Sequence, residues 1–289
     1  MVTAVTVVTV AWALPPVGYV RGLKPAKAPG RLVSLAPSTT EILFSLGLGD
    51  RVVGVTRYCE HPPAAKALPK VGGFVDPSLE AVLALRPDAV VAVPTEGNQR
   101  VVERLVDFKV PVLLVPGITL ADVFTALETL GEALGRKVEA GAVAARMRAD
   151  LEEVRRRTVG RKAPRVLLIY DRRPLVVAGP GSFGDELLRL SGGLNVVPGG
   201  GVAHPTVSME AVVGWAPEVV LDASMGGQDA ALGQAQLMAE FGRFPAMPAV
   251  RDRRVLVLKG GGLMRPGPGI GADVATVAAL LHPGAFGIP

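Results

Sequence analysis

One stretch of the chain recurs in its second half, and it constrains the fold more than any other feature. The first copy is Pro77-Ser78-Leu79-Glu80-Ala81-Val82-Leu83-Ala84-Leu85-Arg86-Pro87-Asp88, running on through Ala89 to Val93. The second is Val207-Ser208-Met209-Glu210-Ala211-Val212-Val213-Gly214-Trp215-Ala216-Pro217-Glu218, running on through Val219 to Ala223. Aligned without a gap, the copies share Ser, Glu, Ala, Val, Pro and a valine of the apolar run. Each reads as a short helix, stopped by a proline that cannot continue it, followed by a β-branched run bounded like a buried strand. Each places one glutamate in the first helical turn, where the positive end of the helix dipole tolerates a negative charge. A helix–strand unit repeated in each half implies two similar lobes.

Around these copies the pattern alternates. Arg31 to Ala36 reads as a strand, Pro37-Ser38-Thr39-Thr40-Glu41 opens an apolar helix, and Arg51 to Thr56 is the next strand. Ser38 and Glu41 have capping-box spacing. A strand–helix–strand unit of this length is a crossover between parallel strands. Ligands of open parallel sheets bind off the carboxyl ends of the strands, which places Pro37, Ser38 and the Arg57-Tyr58-Cys59-Glu60-His61 loop at a candidate cleft. The loop Lys70 to Asp76 leads to the first glutamate helix, with Asp76 as the expected cap and Pro77 at the first helical position. Ala89–Val93 and Val110–Val115 read as strands, with the loop Pro94-Thr95-Glu96-Gly97-Asn98 and a helix to Phe108 between them.

From Leu120 to Val159 apolar residues recur at helical spacing without a strand, and Lys137 to Arg157 holds no proline. About twenty residues at ~1.5 Å each give a rod of roughly 30 Å, a stiff link between lobes. A second alternating region starts at Arg165–Tyr170, and Gly179-Pro-Gly-Ser182-Phe-Gly-Asp185 repeats the serine-then-acid helix start. Arg254–Leu258 is the last strand, followed by the loop Gly260 to Pro268, which contains Arg265, and a helix from about Asp273 to Leu281. The expected fold is α/β: two Rossmann-like lobes with parallel sheets, joined by a single long helix. The expected segments are a signal peptide and linker over 1–30, a first lobe over 31–118, a connecting helical segment over 119–160 and a second lobe over 161–289. The signal rests on the apolar run Val2–Val10 before Ala11-Trp12-Ala13, a small-x-small cleavage pattern that lacks the usual basic leader.

Composition removes several classes of function. With 49% hydrophobic and 20% charged residues over 289 positions, the chain is not disordered and can build two cores. Its charge of +5 comes with only 4% aromatics, so it lacks the stacking platform of a nucleic-acid binder. One cysteine, Cys59, excludes an intrachain disulfide and a multi-cysteine metal site. His61, His204 and His282 have no helical ligand spacing, so no metal site of the protein's own is expected. Gly179-Pro-Gly-Ser-Phe-Gly lacks the Lys-Ser/Thr of a phosphate loop, and no Gly-x-Ser-x-Gly elbow anchors a nucleophile. By spacing alone Glu80 and Glu210 are equally paired catalytic carboxylates or solvated first-turn acids.

From Arg31 to about Leu281 the chain resembles the substrate-binding proteins of ABC importers for cobalamin, haem and iron–siderophores, and within them the vitamin B12 branch. The resemblance is carried by Leu35-Ala-Pro-Ser-Thr-Thr-Glu41, Gly54-Val-Thr-Arg-Tyr-Cys-Glu-His-Pro-Pro63, Lys70-Val-Gly-Gly-Phe74, Ser78-Leu-Glu80 with Arg86-Pro-Asp88, and Arg265-Pro-Gly-Pro268. It implies a class III periplasmic binding protein, extracytoplasmic and monomeric. Such a protein takes a corrinoid into an interlobe cleft and has neither catalytic residues nor an intrinsic cofactor. It implies that Tyr58 and Phe74 line that cleft, with Pro37, Ser38, Glu96, His204 and Arg265 as further ligand contacts. It also implies that Glu80 and Glu210 dock into arginine pockets of an ABC permease dimer that works with its ATPase. His204 stands where the B12 branch can carry another aromatic, and Gly260-Gly261-Gly262 where that branch has an acidic, aromatic loop. The alternatives are haem or a ferric siderophore as cargo, the latter held by Arg57, Arg100 and Arg265, or a chelatase-type tetrapyrrole enzyme pairing His204 with Glu96.

Overall fold

The computed structural model describes residues 17–224, 230–258 and 266–287. The chain packs into two units: one comprises residues 1–117 and 125–140, the other residues 118–124 and 141–289. The first holds a sheet of β1 (Gly18–Tyr19), β2 (Leu32–Ser34), β3 (Val52–Val55), β4 (Ala89–Ala92) and β5 (Val112–Leu114), in the order β1-β5-β4-β2-β3. Strands β2 to β5 are mutually parallel. Helices α1 (Pro37–Ser45), α2 (Leu79–Ala84) and α3 (Gln99–Asp107) make the crossovers. Strands buried along their whole length, such as β2, β4 and β5, are what a parallel sheet covered on both faces requires. Residues 14–30 were expected as a linker; instead Gly18–Tyr19 pairs antiparallel with β5, and Val20 is fully buried in the first core. Val20 can be buried because β1 supplies an edge to the sheet, which a polar linker would not.

The second unit repeats the plan with β6 (Arg165–Arg172), β7 (Leu175–Val177), β8 (Leu194–Asn195), β9 (Val219–Asp222) and β10 (Val255–Val257). The order is β10-β9-β6-β7, with β8 also on β6. Strands β8, β6, β9 and β10 are parallel, whereas β7 is antiparallel to β6. Both sheets are therefore mainly parallel, as expected, and each carries one antiparallel strand. The extra antiparallel strands lie in short segments, Gly18–Tyr19 and Leu175–Val177, whose few apolar residues carry no periodic signal. Helices α6 (Phe183–Leu190), α7 (Met209–Trp215), α8 (Ala230–Phe241), α9 (Pro248–Arg251) and α10 (Ile270–Leu281) complete the unit. The connecting segment is α4 (Leu120–Ala133) and α5 (Lys137–Thr158), broken at Gly135, which takes a φ of +70°. The first turn of α4 is held within the second unit by Glu186, whose carboxylate accepts the Leu120 N–H at 2.9 Å. Arg148 covers the Phe124 ring at 4.7 Å in the same unit.

The repeat read from sequence extends to atoms. Ser78 Oγ accepts the Ala81 N–H and Ser208 Oγ the Ala211 N–H, each at 3.2 Å, so both glutamate helices have a serine cap. Both end in a left-handed residue at the same register, Arg86 with φ 46° and Ala216 with φ 47°. An arginine beside a strand closes each helix end: Arg31, just before β2, donates to Leu85 O at 2.7 Å, and Arg165, the first residue of β6, to Trp215 O at 2.6 Å. The acid after each proline then binds the same strand. Asp88 accepts the Arg31 N–H at 2.9 Å, and Glu218 accepts the Arg165 N–H at 2.9 Å.

A non-glycine residue in the left-handed region costs ~1–2 kcal/mol, and glycine is the usual residue at that position past a helix end. Ala216→Gly is therefore expected to stabilise the protein by ~0.5–1 kcal/mol after its added chain entropy is subtracted. Thermal unfolding checks this: a melting temperature that stays level or falls would show the strain to be relieved elsewhere.

Candidate functional site

Because β2, β3, β4 and β5 are parallel, the segments that leave them emerge on one edge of the first sheet. Leaving β2, Ala36 is extended and Pro37 takes the first position of α1, a place suited to its fixed φ. This overturns the expected capping box: the cap is Ala36, with no side-chain bond, and Ser38 lies inside the first turn. Ser38 is 8% exposed, and a Cβ added at Gly117 would approach its Oγ to 3.4 Å. Below it is a buried polar cluster. The Ser34 and Thr39 hydroxyls lie 2.7 Å apart, and Thr40 Oγ1 is 2.8 Å from Ser34 Oγ and 3.1 Å from Cys59 Sγ. Thr56 Oγ1 is also 3.1 Å from that sulfur. Thr39 and Thr40 both donate to Ala36 O, at 3.0 and 2.9 Å. This cluster satisfies polar groups that would otherwise be costly to bury, and it fixes the turns out of β2 and β3 against each other.

The turn out of β3 carries Tyr58, which is 52% exposed. The next loop carries Phe74, half-buried, and the turn out of β4 carries Glu96, exposed. These three loops are tied together. Arg57 N donates to Gly72 O at 2.9 Å, and the Arg57 guanidinium lies 2.8 and 2.7 Å from the two oxygens of Asp76. Asn98, fully buried, donates to Val93 O at 2.9 Å and Phe74 O at 3.4 Å and accepts the Thr95 N–H at 3.1 Å. Asp76 was expected to cap α2. Ser78 is the cap instead, because Arg57 takes the Asp76 carboxylate. Pro37, Ser38, Tyr58, Phe74 and Glu96 thus share the carboxyl edge of one sheet. Sequence reasoning missed Asn98; its one signal was its place just before an apolar helix.

In the second unit Tyr170 stands near the carboxyl end of β6. Its phenolic oxygen accepts the Gly184 N–H at 3.0 Å, and burial raises its pKa. The His204 ring packs edge-on against it, centroids 4.9 Å apart and planes at 62°. The loop bearing His204 runs along the end of β7, with Val177 N donating to Pro205 O at 3.1 Å and Gly179 N to Ala203 O at 2.9 Å. Tyr170 also escaped the sequence reading, since the last residue of an apolar run looks like core. At the end of β9, Asp222 is fully buried beside Arg172, 3.4 Å from its Nε, and accepts the Ser224 N–H at 2.9 Å. Arg265 and the Gly260–Gly262 stretch lie outside the described residues. Among the described residues no cluster of three or more His, Cys, Asp or Glu side chains could hold a metal ion.

Glu80 and Glu210 are both exposed in the first turns of their helices. Ser78 Oγ donates to Glu80 Oε2 at 3.2 Å. The backbone N–H of Glu210 and the Ser208 hydroxyl hold the Glu210 carboxyl below the usual carboxylate range. Neither acid touches a basic side chain through any ion pair among the described residues.

The family profile described as "Periplasmic binding protein" matches residues 32–260. A vitamin B12-binding protein of Vibrio campbellii is 32% identical over 191 residues, covering 66% of this chain and 69% of that protein. Among solved structures, the periplasmic vitamin B12 binding protein of Vibrio cholerae superposes with a TM-score of 0.76 at 25% identity, covering 90% of this chain and 98% of that one. A periplasmic haem binding protein of Pseudomonas aeruginosa superposes with a TM-score of 0.77 at 30% identity, covering 88% and 93%.

The buried Arg172–Asp222 pair generates a stability prediction. Removing one partner of a buried ion pair leaves a charge without compensation, at a cost of ~3–5 kcal/mol. Arg172 also has Glu240 at 3.9 Å, which places Asp222→Ala near the lower end, about 3 kcal/mol. Denaturant unfolding measures it; a loss under about 1 kcal/mol would show that Glu240 alone compensates the guanidinium.

Proposed function

Since the chain belongs to the periplasmic binding protein family, we propose that it is the extracytoplasmic receptor of an ABC importer and that its cargo is a corrinoid, cobalamin or a close relative. The observation that carries the reading is the pair of aromatics, Tyr58 and Phe74, presented partly exposed on adjoining loops at the carboxyl edge of a parallel sheet. A large planar macrocycle is held mainly by apolar and aromatic surface, with a few polar groups fixing its orientation. In this reading Pro37, Ser38 and Glu96 are further cargo contacts on the edge that bears the two aromatics. His204, braced on Tyr170, and Arg265 are the contacts that the resemblance implies in the second half of the chain. The relatives named for vitamin B12 favour the corrinoid. Haem is the second reading, favoured by the 30% identity to the Pseudomonas aeruginosa haem binding protein. The chain binds and hands over its cargo without transforming it.

Titration calorimetry with cobalamin and with haemin decides between cargoes: one-to-one corrinoid binding is expected, and tight haemin binding with no corrinoid binding would overturn the assignment. Tyr58→Ala and Phe74→Ala should each weaken binding by ~1–3 kcal/mol, the scale of a lost aromatic contact. Unchanged affinity in both would defeat the cleft. An absorption spectrum of bound cargo that is the same for wild type and His204→Ala would exclude coordination of the cargo metal by His204.

The two glutamates have a separate role in this reading. Each stands on a serine-capped helix of its own lobe, where arginines of a permease dimer can meet it in charge-assisted hydrogen bonds. Glu80→Ala with Glu210→Ala should keep cargo affinity and melting temperature yet lose permease binding and transport. Each single variant should show a partial defect. Normal transport by the double variant would remove the docking role, and loss of cargo binding would place the acids in the site.

A further inference from the structure

The Arg57–Asp76 ion pair joins the two loops that bear Tyr58 and Phe74, and little else explains it. Both side chains are about half exposed, 48% and 59%, so solvent screens the pair and its part in holding the fold together is small. Its geometry is nevertheless built with care. One guanidinium nitrogen contacts both carboxylate oxygens, at 2.8 and 2.7 Å, and the same guanidinium lies 5.2 Å from the Tyr58 ring centroid.

The backbone is shaped to receive the pair. Gly72 has a φ of +103°, and a Cβ there would meet Asp76 O at 2.7 Å and Ser78 N at 2.8 Å. A Cβ on Gly73 would collide with Asp76 Oδ1 and lie 2.5 Å from the Arg57 Nη2. Two successive glycines thus let the Phe74 loop fold flat beneath the ion pair. On its far side that loop is pinned by Asn98 and by Gly97, whose Cβ would approach Val75 O to 2.5 Å.

We infer that the Arg57–Asp76 pair is a clasp that sets the two aromatic side chains in place before cargo arrives, making Arg57 and Asp76 positioning residues for the site. The inference rests on the cargo-site reading above. Without the clasp, the loops and the Tyr58 ring must be ordered when cargo binds, and that cost appears as lost affinity. The clasp acts through the rings, and its direct ring contact is with Tyr58, so its contribution shrinks when Tyr58 is absent.

The test is a double-mutant cycle read by titration with cobalamin, or with haemin if that is the cargo. Asp76→Ala, and Asp76→Asn with its unchanged shape, should each weaken binding about 3–10-fold while the melting temperature stays at the wild-type value. Gly73→Ala, which displaces the pair, should give a similar loss. In a Tyr58→Ala background Asp76→Ala should cost less than about 2-fold, because interacting positions are not additive. Raising salt to roughly 1 M should bring wild-type affinity toward that of Asp76→Ala. Wild-type affinity in Asp76→Ala, or losses that multiply in the double variant, would overturn the clasp while leaving the cargo site standing. Wild-type affinity in both Tyr58→Ala and Phe74→Ala would defeat the cargo site itself, and the clasp with it.

Discussion

A strand that runs parallel to its predecessor must be reached by a crossover, and the crossover returns the chain to the same starting edge. The placing of several candidate site residues in the first unit follows from that constraint. The turns out of β2, β3 and β4 all open on one side, and the side chains they carry meet there although they are far apart in sequence. Pro37 and Ser38, Tyr58, and Glu96 come from three different strands. The buried hydroxyl and thiol cluster of Ser34, Thr39, Thr40, Thr56 and Cys59 makes this edge rigid from below.

The second constraint is the doubled lock between a strand and its glutamate helix. In each unit an arginine at the strand start takes a carbonyl at the helix end, and the acid beyond the proline takes the N–H of that arginine. The lock fixes the angle at which the short helix leaves the sheet. A six- or seven-residue helix has little stability of its own, and the serine caps and this lock supply what its length does not. The strained left-handed residues Arg86 and Ala216 are retained at matching places because the chain must turn there, within one residue, from helix toward strand.

Much of this was legible from the residues. Helix-stopping prolines and β-branched runs located most crossovers, and the recurrence of Ser-x-Glu-Ala-Val announced two units of one plan. The long helix Lys137–Thr158 was evident from its lack of proline and its helix-forming residues. Other features depend on partners that no local pattern names. Asp76 looked like a cap because it precedes Pro77, and only Arg57, far along the chain, decides otherwise. Ser38 looked like a cap because of Glu41, but proline at the first helical position moved the boundary by two residues. Asn98 and Tyr170 were invisible because their roles lie in hydrogen bonds to backbone groups of other loops. Strand β1 is too short for a period to be read.

The path of the chain between the units has a consequence for how the protein can be divided. It passes from one unit to the other after residue 117, returns after residue 124, and passes again after residue 140. The turn Ile118–Phe124, held by Glu186 and Arg148, belongs to the second unit by packing but precedes part of the first in sequence. The two halves are therefore not modules that a single cut separates. A fragment beginning at Gly141 lacks a piece of its own packing, and a fragment ending at Ala140 carries that piece away. Exchange of one lobe between relatives, by engineering or by recombination, has to move the Ile118–Phe124 turn together with α6, or replace both.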